Sequence, residues 1–197
     1  MECYQLRFAS KQDAPRLLKI YRPYVEDTDI TFEYEVPTAA EFAQRIEEIT
    51  SFYPYLVCEQ NGCIMGYAYA HRQAERAAYQ WNAELSVYLD TACLQKGIGK
   101  VLYGALIELV RLQHVCNVYG CITSPNPRSE RLHEKMGFRR IGVFHDTGYK
   151  LGRWHDVVWY EKCLVNPALP PEPLLNIIKV DPQLVAEVLQ RFTRQLG

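Results

Sequence analysis

The sequence predicts an α/β domain built on a mixed sheet, followed by a short appended helix. Three observations carry this reading. The periodic segments run in the order β-α-α-β-β-β-α-β-α-β-β; Asn61-Gly62 sits between two strand-like runs; and a Pro-rich stretch at 166–173 breaks the composition before a last amphipathic segment. The 197 residues fit one ordinary domain with a small appendage, and 48% apolar against 23% charged residues is ordinary for a soluble globular protein. The expected division is a domain over 1–165, a linker over 166–180 and a helical tail over 181–197.

Each element has a local reason. Residues 3–8 read as a strand, and Ser10 with Asp13 opens a helix bearing Leu17, Leu18, Tyr21, Tyr24 and Val25 at helical spacing. Thr38 and Glu41 form a second capping box ahead of Phe42, Ile46 and Ile49, and 31–35 between the helices reads as an extended loop suited to substrate contacts. Tyr55–Gln60 and Cys63–His71 flank Asn61-Gly62 as a hairpin, and Tyr79–Leu89 is a further strand. A helix over 98–114 carries Leu102, Ala105, Leu106, Leu109 and Val110 on one face. A strand at 115–123, a helix at 126–136 and paired strands at 139–149 and 153–163 complete the domain. Asp181-Pro182 starts the tail helix, whose stripe Leu184, Val185, Val188, Leu189 and Phe192 is expected to dock on the domain or on a partner subunit.

Composition narrows the function. Lys plus Arg total 22 against 23 Asp plus Glu, with no basic stripe, which argues against nucleic acid as a partner. No apolar run reaches a membrane span, and the first residues lack the basic and apolar regions of a signal peptide. The seven cysteines form no CxxC pair, so reduced, buried thiols in a cytoplasmic protein are expected. The five histidines are scattered singly, and no metal site is expected.

Gln95-Lys96-Gly97-Ile98-Gly99-Lys100 lies between a strand and a helix, a placement that aims backbone N–H groups at an anion such as a pyrophosphate. It is neither a P-loop, since Leu94 and Val101 stand where a Gly and a Ser or Thr are needed, nor a dinucleotide fingerprint, since Leu102 replaces the third Gly. A plain tight turn is the structural alternative.

Together with Glu84–Leu89 upstream and Asn126–Phe138 downstream, this turn resembles the GCN5-related N-acetyltransferase (GNAT) superfamily. Arg76, Tyr79, Trp81 and Glu84, then Leu132-His133-Glu134-Lys135, then Gly148-Tyr149-Lys150 and Trp154-His155-Asp156-Val157, resemble its phosphinothricin and methionine sulfone acetyltransferase branch over roughly 4–164. The resemblance implies a mostly antiparallel central sheet flanked by helices, acetyl-CoA as co-substrate, a small amino acid or analogue as acceptor and a homodimer built partly from the last strands. It implies cofactor contacts from the backbone of Val87, Tyr88 and Leu89, from Gln95, Lys96, Gly97, Ile98, Gly99 and Lys100, and from Asn126 and Lys135. One departure stands out: Leu94 occupies the superfamily's usual Gln or Arg position.

The chemistry asks for a base to deprotonate the amine, a donor to the developing oxyanion and a proton for the leaving thiolate. Glu84, beside Trp81 and Leu85 in an apolar strand, is the expected base; a structural ion pair with Arg72 or Arg76 is its alternative. The resemblance places His133 where the superfamily carries its general acid, and Val87 where a backbone amide meets the thioester carbonyl. The branch resemblance implies Arg76 as a fork for the acceptor carboxylate, with Phe32, Glu33 and Tyr79 as pocket wall; a surface ion pair is the alternative for Arg76. His155 and Asp156 alternate faces on a strand and cannot form a dyad, so His155 reads as packing or a dimer contact. Protein, lysine or polyamine acetylation, or acyl-CoA binding without turnover, are the competing readings.

Overall fold

A computed structural model describes residues 3–94, 96–166 and 168–196. Among the described residues seven strands form one sheet in the order β1-β2-β3-β4-β5-β7-β6. They are β1 (Tyr4–Phe8), β2 (Tyr55–Gln60), β3 (Cys63–Arg72), β4 (Asn82–Leu89), β5 (Asn117–Ser124), β6 (Arg139–Lys150) and β7 (Arg153–Cys163). Every neighbouring pair is antiparallel except β4 and β5. Five helices accompany them: α1 (Ala14–Glu26), α2 (Ala39–Thr50), α3 (Ile98–Leu112), α4 (Pro127–Lys135) and α5 (Pro182–Thr193). None of the described helices is long and apolar enough to cross a membrane.

Strand alternation sorts the core into two layers. Leu56, Cys58, Ala68, Ala70, Ala83 and Leu85 point to one face, where Leu102, Leu106 and Leu109 of α3 cover them. Tyr55, Val57 and Tyr67 point to the other, beneath Leu17 and Tyr21 of α1 and Phe42 and Ile46 of α2. The expected caps are in place: the Thr38 hydroxyl accepts from Glu41 N–H, and Ser10 and Asp13 form a reciprocal box. That second box opens a 3-10 turn that precedes α1.

Three sequence expectations need correction. The strand expected from Tyr79 begins at Asn82, because 77–79 coil into a 3-10 turn. Cys58, Cys93 and Cys116 are buried, but Cys3, Cys63, Cys121 and Cys163 are exposed, so the thiols are not uniformly core residues. In α5, Val185, Val188, Leu189 and Phe192 pack on the core, whereas Leu184 is 43% exposed and lies off the stripe.

The segment between domain and tail is laced to the domain by hydrogen bonds. The fully buried Gln113 side chain donates to Phe52 O and Leu175 O, both at 2.8 Å. Asn176 Nδ2 donates to Ser51 O, and the Trp81 indole donates to Glu172 O at 2.8 Å. Helix α5 then closes over α3, its Phe192 ring filling the space opened by the missing side chain of Gly104, and Thr193 Oγ1 accepts from Leu6 N–H on the edge strand β1.

Candidate active site

The sheet carries a break where β4 meets β5. The two strands pair only at Asn82–Asn117, Ala83–Val118 and Glu84–Tyr119, although β4 continues to Leu89 and β5 to Ser124. Beyond Glu84 they diverge, and a cavity opens between Leu85–Tyr88 and Cys121–Thr123, closed by Tyr103, Asn126, His133 and Ile30.

Backbone polarity decides what β4 offers there. Asp90 N–H bonds Met65 O, and Asn82 O accepts from Gln73 N–H, so the even-numbered residues direct their backbone groups toward β3 and the odd-numbered ones toward β5. Val87 therefore turns its N–H and C=O into the wedge, opposite a strand that no longer pairs with it. Tyr88, expected to contribute its backbone, is corrected: its backbone groups belong to the β3 ladder, and its ring joins Tyr21, Tyr24 and Tyr67. Leu89 is engaged too, its carbonyl accepting from Tyr24 OH at 2.7 Å.

At the mouth of the wedge Gly97 takes φ 80°, the left-handed conformation that glycine adopts without strain, and caps α3. The N-termini of α2, α4 and α5 are each satisfied by a side chain, from Thr38, Asn126 and Asp181, whereas α3 has no side-chain cap. Its first amides, Ile98 to Lys100, remain free for an anion. Ile98 offers only backbone, since its side chain is fully buried, and Gly99 leaves the room that Leu89 fills. Lys96 and Lys100 are exposed beside the turn, and Gln95 lies outside the described residues. The wedge, its inward-facing amide and the uncapped helix together fit an acyl thioester arm ending in a pyrophosphate.

Asn126 accepts from Ser129 N–H through its side-chain oxygen, which leaves its amide donors for a ligand. Lys135 is exposed at the end of α4, two residues past His133, and is not among the residues that line the wedge; its expected pairing with a CoA phosphate stands as a proposal.

Glu84 holds the last paired position before the strands diverge. Its side chain lies on the face shared with Ser86 and Tyr88, and burial pushes its carboxyl above the ordinary value while the nearby His71 pulls it back. It makes no ion pair with Arg72 or Arg76. Trp81, read as its apolar neighbour, is instead tied to the tail through its indole.

His133 is 3% exposed and packs flat on β5, where a Cβ at Gly120 would collide with it. Its Nδ1 lies 2.8 Å from Ser129 O, an atom that only accepts, so Nδ1 carries the proton; Nε2 then accepts from Tyr103 OH at 2.8 Å. Desolvation holds the ring below its usual pKa, hence neutral. In this arrangement both His133 nitrogens are engaged, and the hydroxyl of Tyr103, which also lines the wedge, stands between the ring and a leaving thiolate; the general-acid role expected of His133 stands as a proposal. Sequence reading missed Tyr103 because, on an apolar helix, its spacing is that of any core residue.

On the acceptor side, Glu33 is held by Arg45 at 2.7 Å, and Phe32 packs against Gly148 and His155. Arg76 caps the exposed 3-10 turn containing Tyr79, which is 46% exposed, and Arg76 forms no ion pair among the described residues. Cys121, though solvent-accessible, lines the narrow wedge, where partial desolvation first and the Glu84 charge second push its thiol up to about 12.

A family model described as acetyltransferase (GNAT) domain matches residues 6–159. The chain belongs to the GNAT acetyltransferase family. It is 33% identical to a phosphinothricin N-acetyltransferase of Streptomyces viridochromogenes, over 89% of this chain and 96% of that one. It is 32% identical to an L-methionine sulfoximine/L-methionine sulfone acetyltransferase of Salmonella typhimurium, over 84% and 97%. The fold matches the crystal structure of a GNAT phosphinothricin acetyltransferase from Sinorhizobium meliloti in complex with acetyl-CoA, with a TM-score of 0.82, 32% identity and coverage of 88% and 98%. The protein is thus an acetyl-CoA-dependent N-acetyltransferase, and its mixed, mostly antiparallel sheet is the GNAT sheet.

Proposed function

We propose that this enzyme acetylates the amino group of a small amino acid or analogue of the phosphinothricin, methionine sulfone or methionine sulfoximine type, by direct attack with Glu84 as base. The observation that carries the reading is the half-buried Glu84 carboxylate at the apex of the β4–β5 wedge, where an inward-facing backbone amide follows on the same strand. Glu84 takes the ammonium proton, directly or through one water, and frees the lone pair that attacks the thioester carbonyl. Val87 N–H donates to the oxygen as charge develops; the tetrahedral adduct then collapses with cleavage of the C–S bond, and the CoA thiolate leaves and takes up the second proton shed by the amine nitrogen, through solvent in the wedge. The uncapped start of α3 holds the pyrophosphate and so fixes the carbonyl in reach. Cys121, its thiol protonated, is a poor nucleophile, which favours direct transfer over an acetyl-cysteine intermediate.

For the acceptor, the unpaired Arg76 supports an anionic partner such as an α-carboxylate, with Tyr79, Phe32 and Glu33 around it. The relatives named above are acetyltransferases of such compounds. A homodimer belongs to the same reading: Ile141, Phe144, Tyr149, Leu151 and Trp154 expose apolar surface along β6 and β7, and light scattering of the purified protein should give twice the chain mass.

The test is incubation with acetyl-CoA and a panel of phosphinothricin, methionine sulfone, methionine sulfoximine, common amino acids, spermidine and a lysine peptide, read by mass spectrometry. Acetylation of the sulfone-type amines is expected. Product from only the peptide or spermidine overturns the acceptor assignment.

A further inference from the structure

Trp154-His155-Asp156 takes no role in the reaction proposed above, yet His155 is only 3% exposed. Its Nε2 lies 2.9 Å from Lys150 O, and its Nδ1 lies 3.2 Å from Asp29 Oδ2. Lys150 O only accepts, so Nε2 is the donor there, while Nδ1 faces the Asp29 carboxylate. Asp29 Oδ2 also takes the Arg153 guanidinium at 3.1 Å. Further along the same loop, the buried Lys150 donates from Nζ to Thr31 O at 2.7 Å, and Tyr34 OH donates to Tyr149 O. The Phe32 ring fills the place where Gly148, the register partner of His155, has no side chain. Residues 29–34 are therefore pinned to the tip of the β6–β7 hairpin at successive points, and Ile30 of this segment lines the wedge.

We propose that His155 is a positioning residue for the acetyl acceptor: through Asp29 it latches residues 29–34 onto the β6–β7 hairpin and so sets Phe32, Glu33 and Ile30 at the acceptor side of the wedge. The inference rests on the reading of Phe32 and Glu33 as acceptor contacts. It explains why an imidazole is buried next to a carboxylate on a strand otherwise occupied with packing. A side chain filling space alone needs neither nitrogen partnered.

The test compares Asp29→Asn, His155→Gln and His155→Asn in steady-state kinetics with methionine sulfone and acetyl-CoA. An asparagine keeps a donor near the Nδ1 position facing Asp29; a glutamine keeps one near Nε2. Asp29→Asn and His155→Gln should raise the acceptor KM about tenfold, the change that ~1.4 kcal/mol produces. Their kcat and acetyl-CoA KM should stay within twofold, and His155→Asn should recover most of the loss. Hydrogen exchange should show amides 29–34 opening faster in Asp29→Asn while α3 and β5 keep their protection. Unchanged exchange and unchanged acceptor KM in Asp29→Asn overturn the proposal, as does an equal change in kcat and both KM values. Should the unmutated enzyme acetylate none of the panel amines, the acceptor reading falls, and exchange at 29–34 still decides the latch.

Discussion

Replacing Glu84 by glutamine keeps the shape of the side chain and removes the proton acceptor. A positioned base contributes about 10²–10⁴-fold, or ~2.7–5.4 kcal/mol at 1.36 kcal/mol per tenfold. The structure predicts where that loss falls. Donor-side groups sit on Val87 and the start of α3, on backbone that a Glu84→Gln change leaves in place, so the acetyl-CoA KM should remain within twofold while kcat drops. The pH profile is the sharper assay. Burial raises the Glu84 carboxyl, so kcat/KM of the unmutated enzyme should fall on the acid side at a pH above the ordinary carboxylate range, and this limb should vanish in the variant.

Stability gives an independent check with a fixed sign. A carboxyl whose folded-state pKa lies above its unfolded value binds its proton more tightly when folded, so its contribution is full at low pH and is lost as pH rises through the raised value. Glu84→Gln should therefore melt higher than the unmutated protein at pH 8 and match it near pH 4. Retention of activity within tenfold, or an acid limb unchanged in the variant, would refute the assignment of the base.

Other expectations follow from neighbouring contacts. His71→Phe removes the group that pulls the Glu84 carboxyl back, so the acid limb of kcat/KM should move to higher pH. Tyr103→Phe strands the His133 Nε2 without a donor and should cost about 1–3 kcal/mol, read as a lower denaturant midpoint. Gly97→Ala forces a side chain into φ 80° at roughly 1–2 kcal/mol and should raise the acetyl-CoA KM while sparing that of the acceptor. Phe192→Ala empties the space over Gly104; a buried Phe→Ala costs about 3–5 kcal/mol, so this half-buried ring should cost about half of that, measured in urea.

Local rules made most of the elements readable. Thr38 and Glu41 announce α2 whatever lies around them, and Asn61-Gly62 makes the β2–β3 turn through a left-handed pair, φ 52° and 79°. Glu84 was legible because a lone carboxylate interrupts an otherwise apolar strand, on the face opposite Ala83 and Leu85. What stayed hidden depends on partners distant in the chain. Nothing near Tyr103 tells that its hydroxyl meets His133, thirty residues on. Asp29 and His155 are strangers in sequence, and the break between β4 and β5 is a property of pairing, which no single strand displays.

On the proposed mechanism, with Glu84 as base and the Val87 amide on the thioester oxygen, the break also explains how one strand serves two substrates. Glu84 and Val87 are three residues apart, roughly 10 Å along β4, a span that the glutamate side chain, the amine and the carbonyl carbon can bridge. Their directions differ by construction. Glu84 projects its side chain from the face of the sheet, alongside Ser86 and Tyr88, while Val87 presents its amide from the edge of the strand, into the gap that β5 has vacated. An acyl donor entering along the edge from the α3 side therefore meets an amine arriving over the face from the loop side, without either crossing the other's path. Were β4 and β5 paired for two more residues, the Val87 amide would be consumed by the ladder. Were the strands to separate two residues sooner, Glu84, whose own backbone groups belong to the β3 ladder, would lose Tyr119 as its neighbour across the β5 side. Divergence directly after Glu84 is the placement that keeps the base fixed and the amide free.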